Sequence, residues 1–126
     1  MARLHVVALD ARLPAWAEAA CADYAKRMPK GYQVARVDSI PKKIRVIALD
    51  ERGQDLTTVQ FAQLLKAQAA FVIGGADGLD AQTKAGASML LRLSSLTLPH
   101  ALAQVVLLEQ IYRAATLLTG HPYHRA

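Results

Sequence analysis

Cysteine is almost absent. The single Cys21 cannot close an internal disulfide, and the stretch from Met1 to His5 has no apolar segment of the secretory kind, so a reducing cytoplasm is the expected compartment. Proline and glycine are sparse, at 5 and 7 residues in 126, which excludes collagenous and low-complexity classes. Long uncharged apolar runs are missing too. The longest, Thr97 to Leu108, is broken by Pro99, His100 and Gln104 and falls short of the roughly 20 residues that a membrane span needs, so no membrane partner is expected.

What is present is apolar material, 53% of the chain against 20% charged residues, enough for one folded domain with a real core. The net charge of +5 is unevenly placed. Residues 1–46 hold nine bases against four acids, 9 − 4 = +5, and the remaining residues hold six of each. A basic half of this kind is either a merely soluble face or one that meets a polyanion.

Periodicity divides the chain into alternating elements. Arg3 to Leu9 reads as a buried strand, and a helix runs from Pro14 to about Arg27 with one charged side. Tyr32 to Ile40 and Ile44 to Asp50 read as strands separated only by Pro41, Lys42 and Lys43, which taken literally is a tight antiparallel hairpin. Asp50 to Gly53 then turns the chain. Thr57 and Gln60 form a capping box for a helix to about Lys66, and the strand Ala69 to Ile73 follows. Asp80 caps a short helix to about Ala87, Met89 to Leu93 is the last strand, and a long helix runs from Pro99 to about Thr119, stopped by Gly120. Alternation of this kind predicts an α/β fold with parallel pairs and a ligand site at the carboxyl ends of the strands. The last helix is apolar around most of its circumference, which predicts cover from a partner subunit.

Four features are chemically suggestive, and each has a bland counterpart. Gly74, Gly75 and Gly78 open the backbone to a ligand after a strand, yet match neither the dinucleotide nor the Walker pattern. The segment 93–100, LSSLTLPH, has the composition to wrap an adenine, or is only the start of a helix, with His100 a site residue or a capping neighbour. Glu109 and Arg113, four apart, form a mutually satisfied pair or reach into a site. The tail His121, Pro122, Tyr123, His124, Arg125 combines aromatic and guanidinium groups suited to an unpaired RNA nucleotide, with no cysteine or second acid nearby to complete a metal shell.

VIALD (46–50), FVIGGADGL (71–79), LSSLTLPHALAQVVLLEQIYRA (93–114), GHPYHR (120–125) and the opening RLHVVALDARLPAWAEAACADYAKRMP resemble the small knotted SPOUT methyltransferases that modify bacterial large-subunit ribosomal RNA. The resemblance implies one domain over 1–126, with a mostly parallel α/β sheet, helices on both faces and a C-terminal trefoil knot, an exception to the rule of unknotted chains. It implies S-adenosylmethionine as cofactor, no metal, N3 of a pseudouridine in 23S rRNA of the assembled ribosome as acceptor, and a homodimer. Carried onto this chain, Leu49, Gly74, Gly75, Leu93, Ser94, Ser95, Leu96, Thr97, Leu98 and Pro99 would hold the cofactor. Tyr123 and Arg125 would act on the target nucleotide, with His100 a second candidate proton handler, and His124 and Arg113 would touch the RNA. A tRNA substrate and a non-catalytic ribosome-binding module are the alternatives.

Members of that family carry roughly two dozen additional residues between the strands near Ile40 and Ile44, and a parallel pair needs a crossover of about a dozen or more. Three residues cannot supply it. Either the chain is shortened with altered pairing there, or it joins residues around an absent segment, the preferred expectation.

Overall fold

The computed structural model describes residues 2–9, 12–75 and 77–123. Five strands, β1 (Ala2–Ala8), β2 (Tyr32–Val37), β3 (Val46–Asp55), β4 (Ala69–Ile73) and β5 (Met89–Arg92), form one sheet in the order β2-β1-β4-β3-β5. Every pairing is parallel. The strands can be near-continuous apolar runs because both faces of a parallel sheet are covered, and all of β4, AAFVI, is buried.

Alternation along the strands divides the core into two layers. Leu4, Val6, Ile47, Phe71 and Leu91 face one side, where they pack with Cys21 of α1 (Ala15–Lys26), Phe61 of α2 (Thr58–Leu64), and Leu107, Leu108 and Ile111 of α4 (His100–Thr119). Each such side chain contributes about 1.5–3 kcal/mol when fully buried. Val7, Ala48, Ala70 and Val72 face the other side. There the cover is thin: Ile40 and Ile44 of a connecting segment, plus Leu79 and Ala87, which flank the short α3 (Ala81–Ala85). Helices thus lie on both faces, unequally.

Helix boundaries follow the caps. The Thr57 hydroxyl accepts the Gln60 N–H at 3.1 Å while the Gln60 side chain accepts the Thr57 N–H at 2.9 Å, and Asp80 accepts the Thr83 N–H at 2.7 Å. Gly120, at φ 76°, ends α4 in the left-handed region that favours glycine. By length and composition α4 is apolar enough to cross a bilayer, which the run ending at Leu108 did not reveal because Glu109 interrupts it. Eight of its residues, from Gln104 to Thr116, are buried.

Two expectations need correcting. β2 and β3 form no hairpin: they are parallel and separated in the sheet by β1 and β4. The strands end at Val37 and begin at Val46, so eight residues, 38–45, make the passage. Three strand spacings of about 4.8 Å are within reach of eight extended residues at about 3.3 Å each, so a strap suffices where a helical crossover would need more chain. Nor does the strand end at Asp50: residues 50–53 leave the β3–β5 ladder, and pairing resumes at Gln54 and runs to Asp55.

Candidate functional site

Because the strands are parallel, β4, β3 and β5 deliver their carboxyl ends side by side to one edge of the sheet. A cavity of about 710 Å³ opens there, within the range of small-molecule sites. Its walls are Leu49 to Arg52 from β3, Ile73, Gly74, Gly75 and Gly78 after β4, Arg92 to Pro99 after β5, and His100 and Ala103 of α4. Leu49, Gly74, Gly75, the run from Leu93 to Pro99, and His100, singled out from sequence, are therefore brought together. Gly78, noted with the other glycines, joins them, and Asp50, Glu51, Arg52, Arg92 and Ala103 were missed. The strand-end rule could have found those of β3 had that strand not been ended early, and it already covered Arg92, which lay within the strand read as Met89 to Leu93.

Local geometry explains the walls. A Cβ on Gly74 would lie 2.5 Å from the carbonyl carbon of Gly78, so glycine is required where the chain folds back on itself. Gly78, at φ 75°, donates its N–H to the Gly75 carbonyl at 3.0 Å. In the third wall the Ser94 hydroxyl accepts the Leu96 N–H at 3.0 Å, and Leu96 stays 75% exposed, an apolar surface for a ligand. Lys84 holds Asp50 at 3.2 Å. Arg92 is bound to Asp55 by two hydrogen bonds, which pull the Asp55 carboxyl below its usual range.

Tyr123 and Arg113 do not line this cavity. They sit with Glu109 and Tyr112, and Tyr112 lies about 18 Å along α4 from His100 at 1.5 Å per residue. The Tyr123 hydroxyl donates to Glu109 Oε2 at 2.7 Å, Arg113 donates to the same oxygen at 2.8 and 3.1 Å, and the Tyr123 ring is 4.6 Å from that of Tyr112. Glu109 and Arg113 are paired in the structure. Burial first, and then the Glu109 hydrogen bond, push the Tyr123 phenol up to about 12. His124 and Arg125 lie outside the described residues. Among the described residues, no group of three or more His, Cys, Asp or Glu side chains gathers to hold a metal ion.

Residues 33–124 match the family model described as "Predicted SPOUT methyltransferase". The chain belongs to the SPOUT methyltransferase family. SPOUT methyltransferases use S-adenosylmethionine, and the cavity has the size and the mixed apolar and polar walls that such a ligand needs. The chain is 44% identical to Ribosomal RNA large subunit methyltransferase H of Burkholderia thailandensis, over 98% of this chain and 99% of that one. It is 43% identical to the protein of the same name from Janthinobacterium sp. (strain Marseille), with the same coverage. The first alignment runs over 155 positions against a chain of 126, so at least 155 − 126 = 29 positions of the relative have no counterpart. Among solved structures, the SpoU methyltransferase AviRb from Streptomyces viridochromogenes, in complex with AdoMet, matches with TM-score 0.60 at 13% identity, over 96% of this chain and 58% of that one. A structure on 2-OH methylation of C/U34 on tRNA matches with TM-score 0.57 at 18% identity, over 92% of each chain. At these identities the SPOUT fold is what is shared.

Proposed function

We propose that this SPOUT domain, spanning 1–126, methylates N3 of a pseudouridine in 23S rRNA of the assembled ribosome, in the cytoplasm, as a homodimer with a C-terminal trefoil knot. The relatives' additional positions belong between β2 and β3. The observation that carries the proposal is the separation within one chain of the cavity at the strand ends from the Tyr123, Arg113 and Glu109 cluster. A second subunit, laid against the incompletely covered α4, brings the tail of one chain over the cavity of the other.

Leu49, Gly74, Gly75 and residues 93–99 would hold S-adenosylmethionine, which supplies a methyl group on a sulfonium. The acceptor N3 loses its proton and attacks the methyl carbon as the carbon–sulfur bond breaks, so alignment and proton removal supply most of the acceleration. Tyr123, with its raised pKa, is a neutral phenol near pH 7; it stacks on the base or donates to it and does not act as the base. His100 on the cavity wall is a candidate to take the proton, and Arg125 favours the developing anion. His124 and Arg113 contact the RNA.

The basic half of the chain supports an RNA partner. A second cleft, of about 520 Å³, lies at the amino ends of β1 and β2, and its lining includes Arg3, His5 and Lys26 but no acid. Transfer of labelled methyl from S-adenosylmethionine to ribosomes lacking the modification, with mapping of the nucleotide, tests the proposal. Label on a 23S pseudouridine is the expected result. Label only on purified tRNA, or cofactor binding without transfer, overturns the substrate assignment.

A further inference from the structure

The edge of β3 at the cavity mouth departs from regular pairing. Its register with β5 runs to Leu49↔Leu91 and resumes at Gln54↔Leu91, so residues 50–53 are pushed out of the ladder. Gly53 permits this: a Cβ there would lie 2.5 Å from the carbonyl carbon of Leu91 and 2.6 Å from that of Leu90. Backbone therefore presses on backbone, and the bulge re-aims the side chains it carries, a use bulges have beside sites. Asp50, Glu51 and Arg52 all line the cavity as a result.

These charges differ in what already holds them. Asp50 is engaged by Lys84 at 3.2 Å and by the Arg52 N–H at 3.1 Å, while Arg92 across the cavity is committed to Asp55. The side chains of Glu51 and Arg52 are exposed and have no hydrogen-bond or ion-pair partner among the described residues. One acid and one base, adjacent and uncommitted, suit a ligand that carries both an ammonium and a carboxylate. A polyanion is a poorer match, because the acids and Arg/Lys bases lining the cavity, Asp50 and Glu51 against Arg52 and Arg92, balance.

We propose that Glu51 and Arg52 form a subsite for the amino-acid end of S-adenosylmethionine, Arg52 receiving the α-carboxylate and Glu51 the α-ammonium. The subsite rests on the cofactor assignment above, because the methionine end of that molecule is a zwitterion. It sets specificity for the tail and takes no part in methyl transfer.

Calorimetric titration of the full chain with S-adenosylmethionine, with its decarboxylated form and with methylthioadenosine, which has no amino-acid tail, tests this without any turnover. Arg52→Ala is expected to weaken S-adenosylmethionine binding about three- to fivefold, the range of an exposed ion pair, and to leave methylthioadenosine unchanged. The decarboxylated form should bind wild type and Arg52→Ala alike, with Arg52→Lys restoring part of the loss. Glu51→Gln should weaken both ammonium-bearing ligands and spare methylthioadenosine. Equal effects on all three ligands, no effect on any, or a loss confined to binding of 23S RNA overturns the subsite. If wild type binds none of the three, the cofactor assignment itself falls and takes the subsite with it, whereas tight binding without tail discrimination removes the subsite alone.

Discussion

At the scale of single residues, Tyr123 carries the sharpest expectations. Tyr123→Phe removes the donor to Glu109 and leaves the Glu109–Arg113 pair in place. Under the composite-site proposal, turnover on ribosomes should fall at least tenfold with the affinity for S-adenosylmethionine unchanged, a drop of about 1.4 kcal/mol or more in transition-state stabilisation. Normal turnover would remove the Tyr123 hydroxyl from the mechanism and leave the ring at most a stacking surface. The phenol also predicts a pH signature. Its folded pKa is raised from 10.0 to about 12, so the neutral form is favoured by folding. That stabilisation is complete below the unfolded value and is lost as pH rises from about 10 to about 12. Melting curves should therefore show wild type losing stability relative to Tyr123→Phe in that window, and a constant difference across it would refute the assignment. Gly74 gives a steric counterpart. With a Cβ 2.5 Å from the Gly78 carbonyl carbon, Gly74→Ala should cost about 1–3 kcal/mol by forcing backbone apart and should weaken the cofactor by displacing a cavity wall. Denaturation and titration of the same variant check both effects.

At the scale of elements, capping is the local rule that the chain obeys most literally. Thr57→Ala deletes one half of a formed capping box and should cost about 1 kcal/mol in urea unfolding, while Val59, exposed on the same helix, should tolerate alanine with little change. Caps, Gly120 and the buried run of β4 were legible in sequence because each is fixed by neighbours within a turn or by burial on both faces. The separation of β2 from β3 was not, since which strand lies beside which is settled across the sheet by Val7, Val72 and Ala48 in register. Nothing in the strap 38–45 announces a passage over two strands. The site divided in the same way. Residues 93–100 and the glycines after β4 were readable from composition and family resemblance, whereas Glu51 and Arg52 line the cavity on a bulge that the close backbone contact at Gly53 permits.

At the scale of the whole molecule, one chain holds the strand-end cavity and the Tyr123 cluster apart. The cavity lies at the amino end of α4, and Tyr123 packs against Tyr112 well along it. Moving the tail of one chain to its own cavity would break the Tyr123 hydrogen bond to Glu109, whereas in the proposed two-fold dimer each tail would meet the partner's cavity. Complementation separates these cases. Ser95→Trp fills a wall of the cavity and should abolish cofactor binding, while Arg125→Ala should leave binding intact and abolish turnover. Mixed in equal amounts and allowed to exchange, half of the dimers are heterodimers, each with one site built from an intact cavity and an intact tail. Turnover should therefore recover to about a quarter of the wild-type level, as random pairing of two-fold dimers requires. A site contained within one chain would show no recovery, and the mixture would remain as inactive as its parts.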